Sequence, residues 1–149
     1  MKHIIIITFI LFSQNLISQE KFKLCGDTTT FPYYFINLQY SGGFWEVKSH
    51  FYKDYPEIKM QNMRNNTGIV CIQFSVNCKG ESGKYSIKTY DLDNTSKYIN
   101  EEISNYFLLK TKSLKNWIPP KDENRNPINC HKFFSFKILN GKLIEILPK

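Results

Sequence analysis

Residues 68–92 read GIVCIQFSVNCKGESGKYSIKTYDL, and the first ten of them carry the two-residue alternation of a strand. Val70, Ile72, Phe74 and Val76 fall on one face, and Cys71, Gln73 and Ser75 fall on the other. Successive side chains of a strand point to opposite sides, so this pattern predicts a strand with one buried face. Lys79–Gly83 (KGESG) has turn chemistry, and Lys84–Leu92 (KYSIKTYDL) alternates again through Tyr85, Ile87 and Thr89. The segment therefore predicts a β-hairpin.

Working toward the C-terminus, Asn100 precedes Glu101 and Glu102, which is a capping side chain followed by acids at the positive end of a helix dipole. Ile103, Tyr106, Phe107 and Leu114 then form an apolar stripe suited to lying on the sheet. Trp117 follows as a core plug, and Pro119 and Pro120 are expected to stop the helix, because proline lacks the amide hydrogen and crowds the preceding turn. KDENRN is a solvated loop, and Ile128–Ile138 (INCHKFFSFKI) predicts a third strand. Asn140-Gly141 is a strong hairpin signal, because both residues tolerate positive φ, and KLIEIL returns as a fourth strand.

Toward the N-terminus, Phe44, Val47, Phe51 and Tyr55 trace one helical face that Pro56 should end. QNMRNN reads as a polar bridge, and residues 19–41 as an irregular lead with several aromatics. The expected fold class is α+β: hairpin, helix and hairpin forming a small antiparallel sheet packed against a helix, preceded by one further helix. One domain, residues 42–149, would carry it.

The first eighteen residues read differently. Met1-Lys2-His3 is a short positive start, and Ile4–Phe12 (IIIITFILF) is an apolar block well short of the ~20 residues that a spanning helix requires. This is the pattern of a signal peptide, with cleavage expected after Ser18. The expectation is an exported chain in the periplasm or cell envelope, or secreted, with no stable membrane anchor. Four cysteines, Cys25, Cys71, Cys78 and Cys130, are then carried into an oxidising compartment. Their spacing fits no zinc template, so a metal site of Cys78, Cys130 and His131 is weak and disulfides or buried thiols are favoured. Cys78 is the foremost disulfide candidate, since it ends a strand beside a turn while Cys71 lies mid-strand.

The chain has 149 residues, 15% aromatic, with a formal net charge of +7. A basic chain raises nucleic acid as a partner. Its lysines, however, are dispersed, without a basic run or an aromatic-basic repeat, so no nucleic-acid partner is expected. No GxSxG or HExxH surrounds His50 or His131, and the acids gather at turns and caps. Gly80 and Gly83 join two strands rather than a strand and a helix, which argues against a phosphate loop. No catalytic residue, cofactor, metal or small-molecule substrate is expected, and the chain reads as a non-enzyme.

Four passages in order carry a family likeness. They are Gly42-Gly43 leading to Tyr55-Pro56, the alternating strand Gly68–Asn77 with Gly80, Trp117 with Pro119-Pro120 and then Pro127-Ile128, and Phe134-x-Phe136-x-Ile138. Over about residues 38–146 the chain resembles the C-terminal domain of TonB energy transducers, with Asn126 where that family usually has glycine. The resemblance implies a helix-backed sheet that binds a partner protein or peptide, such as an outer-membrane receptor segment, by strand addition. It places the contact on the strand of about Asn129–Ile138, with Cys130, Lys132, Phe134, Phe136 and Ile138 as candidate partner-binding residues. The chain lacks the transducers' membrane anchor and Pro-rich spacer. The alternative expectation is a secreted or surface structural or accessory protein that binds no receptor peptide.

Overall fold

A computed structural model describes residues 21–34 and 37–148. The expected signal peptide and its cleavage point lie outside the described residues. The architecture is α+β. Two short strands come first, β1 (Phe31–Pro32) and β2 (Gln39–Tyr40), followed by the helices α1 (Gly43–Tyr52) and α2 (Glu57–Gln61). The hairpin β3 (Gly68–Val76) and β4 (Ser82–Tyr90) leads to α3 (Glu101–Ser113), then β5 (Trp117–Ile118). The hairpin β6 (Cys130–Leu139) and β7 (Lys142–Leu147) closes the chain.

The main sheet is built on β6. It pairs antiparallel with β3 over nine consecutive positions, from Gly68 opposite Ile138 to Val76 opposite Cys130. β4 lies beyond β3. On its other edge β6 meets β7 through residues 135–139 and β1 through Cys130 and His131. The β1 contact is parallel, so the sheet is not wholly antiparallel as expected. β2 and β5 form a separate two-stranded piece.

The alternation of β3 has its anticipated consequence: Val70, Ile72, Phe74 and Val76 are buried, while Gln73 is exposed. Their partners on β6, including Phe134 and Phe136, share that face. Helices α1 and α3 cover it. Phe136 lies between Phe51 of α1, ring centroids 4.7 Å apart edge to face, and Phe107 of α3, stacked at 4.2 Å. α3 begins as its sequence predicts, with the Asn100 side chain accepting from the Glu102 N–H at 2.9 Å. At the β6–β7 turn Asn140 and Gly141 both have positive φ, 48° and 75°. A Cβ at Gly141 would also collide with the Met60 and Gln61 backbone, so glycine answers both a turn and a close approach.

Three expectations need correction. α1 ends at Tyr52, before Pro56: Lys53 is extended and Asp54 takes φ 61°, which turns the chain. Tyr55 is then free to donate its hydroxyl to the Gly141 carbonyl at 2.8 Å. Pro56 precedes a short second helix, α2, where only one helix was expected before the sheet, and Met60 of α2 is buried. α3 ends at Ser113 with an extended Leu114, so the prolines do not terminate it. Trp117 lies on β5, paired with Tyr40, because an extended backbone lets its ring reach Tyr40 at 5.0 Å and Phe74 at 5.4 Å.

The lead is also less irregular than expected. Asn129, buried, donates to the carbonyls of Cys25 (2.8 Å) and Thr29 (3.1 Å) and accepts from the Cys25 N–H (2.9 Å). Asn77, equally buried, donates to the Lys23 carbonyl at 2.9 Å. A disulfide joins Cys25 to Cys78 at the end of β3, while Cys71 and Cys130 are free thiols.

Phe136→Ala should destabilise the fold by about 3–5 kcal/mol, as truncation of a buried Phe does. Urea unfolding measures it, and a loss under about 1 kcal/mol would contradict the packing described. Removing the disulfide as Cys25→Ser with Cys78→Ser should cost about 4 kcal/mol on the chain-entropy estimate for its sequence separation of 53. The same unfolding series, with peptide mapping of the unreduced wild type, checks both the bond and its contribution.

Candidate functional site

The five residues expected to meet a partner do lie together, but on the inside of the sheet. Cys130, Phe134, Phe136 and Ile138 are fully buried on β6. Burial pushes the Cys130 thiol up to about 12, which makes it an unreactive core residue at neutral pH. The backbone of β6 is engaged by β3 along one edge and by β1 and β7 along much of the other. A peptide adding at residues 135–139 would have to displace β7, whose Leu143 and Ile146 are buried.

The outer edges of the sheet offer two other surfaces. Among the described residues β4 has no further strand beside it, and its ends are covered. The Phe22 ring occupies the space beside Gly83, and the loop after β4 folds back so that the Lys97 N–H reaches the Thr89 carbonyl at 3.2 Å. What remains between them carries exposed Lys84 and Lys88. Edge lysines disfavour the approach of another strand, because it would bury their charge. Among the described residues β7 pairs with β6 alone. α2 lies near its start, where Lys142 faces Glu57 at 3.9 Å. Beyond that, Ile144 is 49% and Leu147 40% exposed, with Glu145 half-buried between them.

Lys132 is the member of the expected set with unusual chemistry. It sits opposite Phe74 on the core-facing side of β6, at the end where α1 no longer covers the sheet fully. A cleft of about 430 Å³ opens there. Leu38 and Tyr40 come from the β2 segment, Phe44 and Val47 from α1, Trp117 from β5, and Lys132 and Phe134 from β6. Two rings lie near the ammonium: Nζ is 4.1 Å from the Tyr33 centroid and 5.2 Å from that of Phe134. Among the described residues it forms no salt bridge, and burial pushes it down to about 8. Trp117 is 6% exposed, and among the described residues its Nε1 has no hydrogen-bond partner.

The remaining candidates are structural. His50 Nε2 lies 2.9 Å from the Lys110 carbonyl and 2.9 Å from Ser113 Oγ, tying α1 to α3. Cys71 is half-buried on the uncovered face beside Ser135, and burial raises its thiol. Among the described residues no group of three His, Cys, Asp or Glu could hold a metal ion, and no helix is long and apolar enough to cross a membrane. The cleft itself could not have been found by spacing, because its walls come from three separated stretches, 38–47, Trp117 and 132–134. Its one local signal is Lys132 breaking the apolar alternation of β6.

Compared with protein families, with curated proteins and with solved structures, the chain matches none.

The buried ammonium has a measurable consequence. Lys132 gives up its proton near pH 8 in the folded chain, whereas in the unfolded chain it holds it to the usual lysine range. Between those values the unfolded state binds more protons, so this group makes the fold more stable as pH rises. Cys130, held up to about 12 when folded, acts in the opposite sense once an unfolded thiol ionises. The comparison is therefore wild type against Lys132→Met, which both retain Cys130. Their difference in stability should move in favour of the wild type from about pH 8 to about pH 10. Urea midpoints across that range test it, and a constant difference would show that Lys132 is solvated.

Proposed function

We propose that this protein is a non-catalytic, exported interaction module of the cell envelope that binds an extended partner peptide by strand addition, as the resemblance to the TonB C-terminal domain implies. The observation that supports this reading is the outer edge of β7, which among the described residues pairs with no second strand, on a strand carrying exposed Ile144 and Leu147. An exposed apolar edge presents free N–H and C=O groups together with surface worth covering, and strand addition uses both. The proposal differs from the family expectation in position. The peptide adds beside β7 and leaves the β6–β7 hairpin intact, which avoids losing backbone hydrogen bonds worth about 0.5–1.5 kcal/mol each.

The test is titration of a receptor-derived TonB-box peptide into ¹⁵N-labelled protein. Amide signals of residues 143–147 should shift and gain exchange protection, while those of β4 stay in place. Ile144→Lys with Leu147→Lys should weaken binding about tenfold or more without unfolding the domain, since both side chains are already exposed. Shifts confined to residues 84–88 would move the site to the other edge. A protein that binds no such peptide would favour the structural or accessory reading.

A further inference from the structure

We propose that Lys132 is a nucleophilic amine that captures an aldehyde as an imine in the cleft between α1, the β2–β5 piece and the end of β6. The site goes beyond peptide binding at β7 and does not depend on it.

Lys132 is half-buried, and none of the other residues lining the cleft is charged. Its Nζ stands over the rings of Tyr33 and Phe134, at 4.1 and 5.2 Å from their centroids. Among the described residues Nζ has no hydrogen-bond or ion-pair partner. It is nevertheless not sealed from solvent as Trp117 Nε1 is, so a small molecule in the cleft can reach it. Ring faces position an ammonium, but they bring no counter-ion and no hydrogen-bond acceptor of ordinary strength. An amine so placed loses hydration without gaining an opposite charge, which favours its neutral form. Burial accordingly lowers its proton affinity to about 8. The titratable groups around it are Tyr33, Tyr40 across the cleft and Cys130 two positions earlier on β6, and no carboxylate lines the cleft.

A neutral, desolvated lysine amine is a nucleophile toward carbonyl compounds. Its lone pair attacks the aldehyde carbon, and a nitrogen proton passes to the former carbonyl oxygen to give a carbinolamine. Loss of water then forms the C=N bond. One amine and one aldehyde thus give one imine and one water, with no oxidant or further reactant. Acyl transfer would instead need a neighbouring base for the ammonium proton and donors for a tetrahedral oxyanion, and no carboxylate or imidazole lines the cleft. The ligand class is set by the amine alone. The walls mix Gln39 and Tyr40 with Leu38, Phe44 and Val47, so they admit polar and apolar bodies alike. At about 430 Å³ the cleft falls within the usual range for small-molecule sites.

Benzaldehyde is the probe, with sodium cyanoborohydride to reduce any imine in place to a stable benzylamine that peptide mapping assigns to single lysines. The wild-type chain is used throughout, so no result depends on how a variant folds. At about pH 7 the neutral fraction of Lys132 exceeds that of an ordinary lysine about two-hundredfold, and the lower nucleophilicity of a weaker base, as known for thiols, takes back part of that gain. With one equivalent of benzaldehyde, Lys132 should therefore carry about tenfold more label, or better, than the mean of the other lysine side chains. The chain's α-amine, which ionises in the same range, is mapped separately as a reference. The preference should shrink between about pH 8 and about pH 10, as ordinary lysines also deprotonate. It should vanish in denaturing urea, because it belongs to the cleft and not to the neighbouring residues in sequence. Labelling of Lys132 no higher than the mean of the other lysines would overturn the proposal. So would a preference that stays constant over that pH range, or one that survives in urea.

Discussion

The nine-position register between β3 and β6 is the constraint on which the rest of the structure depends. It joins segments separated by the second strand of the first hairpin and by the whole of α3, and it places Phe134 and Phe136 opposite Ile72 and Val70 on one face. Because side chains alternate with a period of two, a slip of one residue would turn that entire set outward. The cluster of Phe51, Phe107, Phe134 and Phe136 gives this register its energetic preference, since it forms only when both helices meet that face. The two hairpins are local structures. Their alignment with each other is not, and it must be held by these long-range contacts.

A second set of constraints draws the N-terminal lead onto the end of the sheet. The disulfide and the Asn129 amide both hold Cys25, Asn129 also reaches Thr29, and the Asn77 amide holds Lys23. β1 then extends the sheet beside Cys130 and His131, and β2 pairs with β5. This arrangement creates the cleft. Without the lead, Trp117 would lose Tyr40 and Lys132 would lose Tyr33, so both would face open solvent. The same attachments occupy part of the β6 edge and close it to an added strand.

The edges of the sheet illustrate how polarity sorts surfaces that share a backbone chemistry. β4 and β7 both end the hydrogen-bonded ladder. On β4 the Phe22 ring and a folded-back loop cover the ends, and the open stretch between them holds lysines. On β7 it holds isoleucine and leucine. A strand approaching β4 would desolvate charge, while one approaching β7 would cover apolar surface, and only the second combines pairing with burial.

Much of the fold was legible in residue order because hairpins and capped helices are short-range objects. The alternation from Gly68 to Val76, the Asn140-Gly141 turn and the Asn100 cap each act within a few residues, and each appears where its pattern places it. The end of α1 was misread because Pro56 is a strong local stop, whereas the actual break at Lys53 serves the distant bond from Tyr55 to Gly141. Trp117 was correctly read as buried and wrongly read as the end of a helix, since its pairing with Tyr40 spans most of the domain. The sequence by itself determined which residues turn inward on each strand and helix, because side-chain direction follows from backbone periodicity. Only the tertiary structure decided that β6 is interior, that Lys132 faces rings rather than acids, and that three distant stretches enclose a cleft. Those outcomes depend on which elements become neighbours, and that is settled by packing across the whole chain.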